Sequence, residues 1–276
     1  MCPPPKSCSR SASATRAVLW SAVLTAGLGL TACSTPAPLS PQRAPLSPGN
    51  SDAGRTAQFG LASTQQLVIV TDGGVALHVG ATGKVSVDRG ASGDTVVTHW
   101  HGTGPQAELD LACPTAPAPG AAPCPAVADV SVPVDAAVTV RARNAGVTAT
   151  GLGGPLDLET TNGDVTVVAA DSGGAPVQLT TRNGSVHASG LRAPTLAAHT
   201  VNGDVDLSWA GTPGSVTADT TNGSVDVALP ADATAYAVAT QVRNGEAHVD
   251  VPTDPASAHR LTLTTVNGGV TARTAA

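Results

Sequence analysis

The dipeptide Asn-Gly occurs six times in this chain at nearly constant spacing. The copies are Asn162-Gly163, Asn183-Gly184, Asn202-Gly203, Asn222-Gly223, Asn244-Gly245 and Asn267-Gly268, with separations of 21, 19, 20, 22 and 23 residues. A unit of this size cannot bury its own apolar face, so a period of about 20 residues implies units that stack on one another. Alignment on the asparagine shows how each unit is built. Six residues before it stand Leu156, Val177, Leu196, Val216, Val238 and Leu261, and three after it Val165, Val186, Val205, Val225, Ala247 and Val270. Two before it, Thr160, Thr181, Thr200, Thr220 and Thr265 recur, with Val242 in the fifth copy. Polar residues alternate with these positions, which predicts two half-buried strands per unit with Asn-Gly between them.

An eroded copy is visible at Val138, Val140, Ala142 and Asn144, followed by Val147 and Ala149, and reads as a boundary rung. Further upstream the stretches 66–87 and 94–98 alternate without holding the period. Phe and Tyr occur once each and Trp three times in 276 residues, so the core must come from Val, Leu, Ala and inward Thr. The chain is predicted to be all-β.

Two architectures fit. Asn-Gly between alternating strands is a strong signal for a type I′ hairpin, in which both residues take positive φ, and repeated hairpins would give an antiparallel β-meander. Alternatively, Asn-Gly is the corner of a single-chain parallel β-solenoid whose equivalent strands stack about 4.8 Å apart. The threonine column favours the solenoid, because stacking like on like repeats a residue type down the stack, whereas a hairpin asks each Thr only to suit its own partner. Parallel crossovers are nearly always right-handed, so a right-handed solenoid with an irregular β cap at its N-terminal end is expected.

The N-terminal residues carry a different signal. Lys6, Arg10 and Arg16 precede a 14-residue apolar run, Ala17 to Leu30, of signal-peptide length and too short to span a membrane comfortably. The run ends in Leu30-Thr31-Ala32-Cys33, which resembles the lipobox of bacterial lipoproteins. The resemblance implies that Cys33 receives diacylglycerol and becomes the mature N-terminus, so that 1–32 is a lipoprotein signal peptide. Residues 33–58 are rich in Pro, Ser and Ala and read as a disordered tether, leaving 59–276 as the repeat domain. The expected location is the outer face of the cell membrane, held by lipid.

Removal of the three basic residues takes the net charge from −6 to −9. No basic stripe remains, which argues against a nucleic-acid partner. Cys113 and Cys124 flank the segment PTAPAPGAAP, and in an oxidising compartment a disulfide between them is the economical reading.

The G-D/S-V units, the cysteine pair ahead of Val132-Pro133 and the tail of T-x-N-G-x-V repeats together resemble the bacterial putative-adhesin β-strand-repeat family. That family belongs to the toastrack group, for which a single-stranded right-handed β-helix in envelope proteins is proposed. The resemblance covers roughly residues 60–276 and implies fold and location, but no activity.

Catalytic sites break repeats with unlike groups that converge, and little here does so. His187 and His248 fall at equivalent positions three coils apart, with His199 on the other strand of its own coil, and all three read as solvated surface residues. His99-Trp100-His101 is the one local constellation. On a strand its two imidazoles point to one face and are weak candidates for a shared metal ion, against the plainer reading of an exposed strand with Trp100 turned inward. Asp164, Asp204, Asp206 and Asp226 do not follow the nine-residue period of calcium β-rolls and read as solubilising residues. No metal site, cofactor or catalytic residue is therefore expected. The sequence points to a non-catalytic surface scaffold for binding, adhesion or envelope sensing, with an unknown surface protein or glycan as partner and the final coil, Leu261 to Arg273, as a candidate open edge. A polysaccharide-acting β-helix enzyme is the alternative, which would require charged groups clustered across adjacent coils; Arg182 and Arg243 lie three coils apart.

Overall fold

The computed structural model describes residues 56–88, 97–102, 104–112 and 127–275. All regular structure among them is β. The chain opens with β1 (Thr56–Gly60) and a first coil, β2 (Gln66–Thr71) and β3 (Gly74–Val79), followed by β4 (Lys84–Asp88) and β5 (Val97–His101). A second coil is formed by β6 (Gln106–Ala112) and β7 (Val127–Val132), and a third by β8 (Ala137–Ala142) and β9 (Val147–Thr150). The six Asn-Gly units then supply β10 (Leu156–Asn162) with β11 (Val165–Val168), β12 (Pro176–Asn183) with β13 (Val186–Leu191), and β14 (Thr195–His199) with β15 (Val205–Trp209). They continue with β16 (Ser215–Asn222) and β17 (Val225–Leu229), β18 (Ala237–Asn244) and β19 (Ala247–Asp250), and β20 (Arg260–Asn267) and β21 (Val270–Thr274).

These strands form two sheets. One runs β18-β20-β16-β14-β12-β10-β8-β2-β6-β5 and the other β19-β21-β17-β15-β13-β11-β9-β3-β7-β4-β1. The two strands of a coil lie in different sheets, and each pairs in parallel with its equivalents above and below. The register follows the sequence alignment, with Leu156 opposite Val177, Val177 opposite Leu196 and Leu196 opposite Val216. The fold is thus a parallel β-solenoid and not an antiparallel meander. Asn-Gly does not close hairpins here, because none of the six corner asparagines takes positive φ, while Gly163, Gly203, Gly223, Gly245 and Gly268 lie at φ 150–154°. The chain therefore turns a corner between sheets instead of doubling back within one.

The interior is a column of small apolar residues. Leu158, Leu179, Ala198, Ala218 and Leu263 stack from one sheet, and Val165, Val186, Val205, Val225 and Val270 from the other, all buried. Each fully buried Val or Leu stabilises by roughly 1.5–3 kcal/mol, so the column rather than any aromatic cluster carries the fold. Of the few rings among the described residues, Trp209 is buried at the end of β15, where its Nε1–H donates to the Ala193 carbonyl at 3.3 Å, and the others lie at the ends and connections of the stack. Phe59 of β1 and Trp100 of β5 come from opposite sheets and stack with centroids 4.9 Å apart, plugging the N-terminal end where β4, β1 and β5 run antiparallel to their neighbours.

Coil order in space departs from sequence order at both ends. The first coil, β2 and β3, lies between the second and third, so the eroded copy at β8 and β9 is an interior rung and not a boundary. Likewise the last coil, β20 and β21, is inserted between β16–β17 and β18–β19. The open edge therefore belongs to β18 and β19, which corrects the sequence expectation for Leu261 to Arg273. The strands that end the chain are paired on both sides and are protected from fraying. Two long connections serve this end: seven residues, 230–236, carry the chain from β17 past one rung to β18, and nine, 251–259, return it from β19 to the adjacent rung at β20.

Those long connections carry Tyr236, the only tyrosine of the chain. Its backbone bonds Pro252 and Asp254, His259 meets its ring edge-on at 5.8 Å, and its hydroxyl is buried with no hydrogen-bond partner. Burial, reinforced by the negative charge of Asp232, pushes the phenol up to about 12. A raised folded pKa means stability that is complete below the unfolded value of about 10 and is lost as pH rises through 12. Absorbance titration of this single phenol is expected to show ionisation near 12, coupled to loosening of 230–259. Tyr236→Phe is expected to retain or slightly raise stability, because the hydroxyl it removes is unsatisfied.

Candidate functional site

The repeated polar residues all converge on the Asn-Gly corner, and there they bond to one another. Each asparagine side-chain amide donates to the side-chain oxygen of the asparagine in the adjacent coil. The series runs Asn162 to Asn144 at 3.3 Å, Asn183 to Asn162 at 2.9 Å, Asn202 to Asn183 at 2.9 Å, Asn222 to Asn202 at 2.8 Å, Asn267 to Asn222 at 2.8 Å and Asn244 to Asn267 at 2.7 Å. One residue on, the glycine N–H groups donate to the backbone of the next coil: Gly163 to Asn183, Gly184 to Asn202, Gly203 to Asn222, Gly223 to Asn267 and Gly268 to Asn244. A Cβ on Gly203 would stand 2.1 Å from the carbonyl oxygen of Gly184, and the other five glycines are as closely stacked. Only glycine fits that column.

The position after glycine continues the pattern. Asp164 accepts from the Ser185 N–H at 2.7 Å, Ser185 from Asp204 at 3.1 Å, and Asp204 from Ser224 at 2.7 Å. Asp164 and Asp204 thus cap backbone donors of the next coil, a role beyond the solubilising one read from sequence. Beneath the corner the inward threonines are 0–3% exposed. Each hydroxyl donates to a corner carbonyl of the preceding rung at 2.8–2.9 Å: Thr160 to Ala145, Thr181 to Gly163, Thr200 to Gly184, Thr220 to Gly203 and Thr265 to Gly223. The threonine column therefore pairs hydroxyl with carbonyl, and not threonine with threonine. Thr200→Val keeps the shape and removes the donor, so it is expected to cost about 1–2 kcal/mol by urea unfolding, since the Gly184 carbonyl is left wanting. Val242, on the outermost rung, already lacks that donor.

Groups not used in stacking lie on the outer faces. On the β5-β6-β2-β8-β10 part of one sheet a groove of about 470 Å³ is lined by His101, Glu108, Arg141 and Asp157 over a floor of Val68 and Val70. The floor is braced by Gln106 to Gln66 at 3.2 Å and Gln66 to Thr139 at 2.8 Å. His99 and His101 share this outer face while Trp100 packs inward, as the strand period predicts; they stand opposite Asp110 and Glu108. Among the described residues no group of three His, Cys, Asp or Glu is assembled that could hold a metal ion. Glu108 and Asp157 share one row but are three strands apart, roughly 14 Å, too far for the carboxylate pair of a glycosidase.

The other sheet carries short-range charge pairs between coils, His187 with Asp206 at 3.0 Å and Asp226 with Arg273 at 3.2 Å. His187, His199 and His248 are all exposed. His187 and His248 are separated by four strand steps, one more than the sequence order implies, because the last coil is interposed. The same holds for Arg182 and Arg243. Cys33, Cys113 and Cys124 lie outside the described residues, the latter two within the connection from β6 to β7.

The family model described as Toastrack DUF4097 matches residues 64–273. No protein of curated description matches the sequence. Among solved structures, the chain is similar to a putative cell adhesion protein from Clostridium sporogenes ATCC 15579, at 8% identity and TM-score 0.35, covering 80% of this chain and 99% of that one. It is similar also to a putative adhesin from Bacteroides fragilis NCTC 9343, at 12% identity and TM-score 0.36, covering 80% of this chain and 96% of that one.

Proposed function

The chain belongs to the Toastrack DUF4097 family, and from that premise we propose that it is a non-catalytic, lipid-anchored surface protein which presents a rigid β-solenoid for binding or adhesion. The observation that carries this reading is where the polar residues go. The recurring Asn, Thr, Asp and Ser side chains bond to the neighbouring coil and so hold a stack together, and the charged groups that do cluster across coils, in the groove, have Glu108 and Asp157 roughly 14 Å apart. A stack fixed at every rung displays its outer faces at constant spacing, which is what a presenting scaffold requires. The lipobox at Cys33 and the Pro-rich stretch 33–58 supply an anchor and a spacer on this reading.

The braced groove of His101, Glu108, Arg141 and Asp157 is the proposed contact surface for a polar partner, either a glycan or a surface protein. Its test is a glycan array together with a cross-linking pull-down on intact cells, comparing the full chain with Glu108→Ala and Arg141→Ala, both at exposed positions. Loss of captured partner in both variants supports the groove. Unchanged capture moves the contact elsewhere, and turnover of a polysaccharide by the native chain ends the non-catalytic reading.

A further inference from the structure

The two ends of the solenoid are built differently. The N-terminal end is closed by antiparallel strands and the Phe59–Trp100 plug. At the other end, β18 and β19 are the last strands of their sheets among the described residues, and nothing there closes the coil. Terminal repeats ordinarily turn a polar face outward. This rung instead keeps interior residue types, Val238, Val242, Ala247, Val249 and Val251, of which Ala247 and Val249 are exposed. It also keeps an interior corner, Asn244-Gly245, and two unpaired strand edges.

We propose that this terminal coil docks onto the same coil of a second copy of the chain, end to end, about a two-fold axis through the Asn244-Gly245 corner. The sequence of the rung is self-complementary about that corner. A two-fold there lays β18 antiparallel on the partner copy's β19. Inward positions then meet inward positions: Val242 faces Ala247, Thr240 faces Val249 and Val238 faces Val251 of the other copy. On the outer face Arg243 comes opposite Glu246, and by symmetry this pair forms twice. The alternative two-fold, laying β19 on its own copy, sets Glu246 against Asp250 and is repulsive. Charge thus selects both the occupant and the register. One rung is a small contact, so association is transient in solution and strengthened where many copies share a surface. The interface deepens the scaffold reading by naming a partner, but it does not depend on the groove, on Cys33 or on any other ligand.

Sedimentation of the purified full chain across a concentration series is expected to show reversible dimers. Arg243→Glu and Glu246→Arg, both at exposed positions, are each expected to weaken dimerisation on the order of tenfold, because each turns two attractive pairs repulsive. The double variant restores it, and so does mixing the two single variants, whose charges complement one another. Register is read with Gln241→Cys and His248→Cys, which face each other across the dimer. A disulfide-linked dimer is expected only when the two variants are mixed. A chain that stays monomeric at every concentration would overturn the proposal, as would cross-linking of Gln241→Cys with itself, or single charge variants that dimerise as well as wild type. Glycan or partner capture that is unchanged in Glu108→Ala and Arg141→Ala, with dimerisation intact, would instead refute the groove alone.

Discussion

Gly203→Ala is expected to abolish cooperative folding or to cost more than about 4 kcal/mol, a large part of the roughly 5–15 kcal/mol that holds a typical domain together. The added Cβ would stand 2.1 Å from the Gly184 oxygen, 2.5 Å from its carbonyl carbon and 2.9 Å from the Ser185 nitrogen, all backbone atoms. Relief by moving the corner is blocked from both sides, because Gly184 donates to Asn202 and Gly203 donates to Asn222. The backbone itself, at φ 154°, is also one that L side chains rarely adopt. Gly211 is the control, since a Cβ there meets only the Arg192 side chain at 3.7 Å. Urea unfolding of the two variants should therefore diverge sharply, with Gly211→Ala within about 0.5 kcal/mol of wild type. Equal midpoints would mean that the corner column is not packed as described.

Cys33→Ala is expected to eliminate fatty-acid labelling of the chain completely, because the thiol is the only acceptor the lipobox offers. The effect is all or none, unlike any substitution in the solenoid, and it is read by metabolic labelling followed by fractionation. An ordinary secretory signal cleaved near the same place would leave the wild-type chain unlabelled, and the anchored reading would then fail.

What could be read in advance was whatever repeats. Period-two alternation about each Asn-Gly located both strands of six coils, and the threonine column separated solenoid from meander. The residues that stack were identified, but the bonds they make were not. A column of Thr is equally consistent with hydroxyl pairing to hydroxyl, and only the backbone position of Gly184 above Thr200 shows that the partner is a carbonyl. The same applies to Asp164 and Asp204, whose side chains were visible as polar but not as caps for the next coil.

Spatial order was hidden for a different reason. Sequence alignment places each unit beside the next, and a unit that inserts between two others leaves its own pattern unchanged. The spacing carries little of it: 22 residues separate Asn222 from Asn244, where the chain passes over a rung, and 23 separate Asn244 from Asn267, where it steps back to the adjacent one. The first coil shows as alternation over 66–87 about the turn Asp72-Gly73-Gly74, but it cannot be placed among the repeats because that turn replaces the Asn-Gly corner. The second was missed because 113–126 interrupts it where other coils turn. The groove of His101, Glu108, Arg141 and Asp157 depends on both of these coils.

Native-state hydrogen exchange of the six Asn-Gly glycine amides, measured at dilution, tests the account most directly. Gly163, Gly184, Gly203, Gly223 and Gly268 donate to an adjacent coil and are predicted to exchange slowly, whereas Gly245, on the outermost rung, is predicted to exchange fast. Slow exchange at Gly245 with fast exchange at Gly268 would contradict the inserted last coil, and fast exchange at all six would contradict the stack itself.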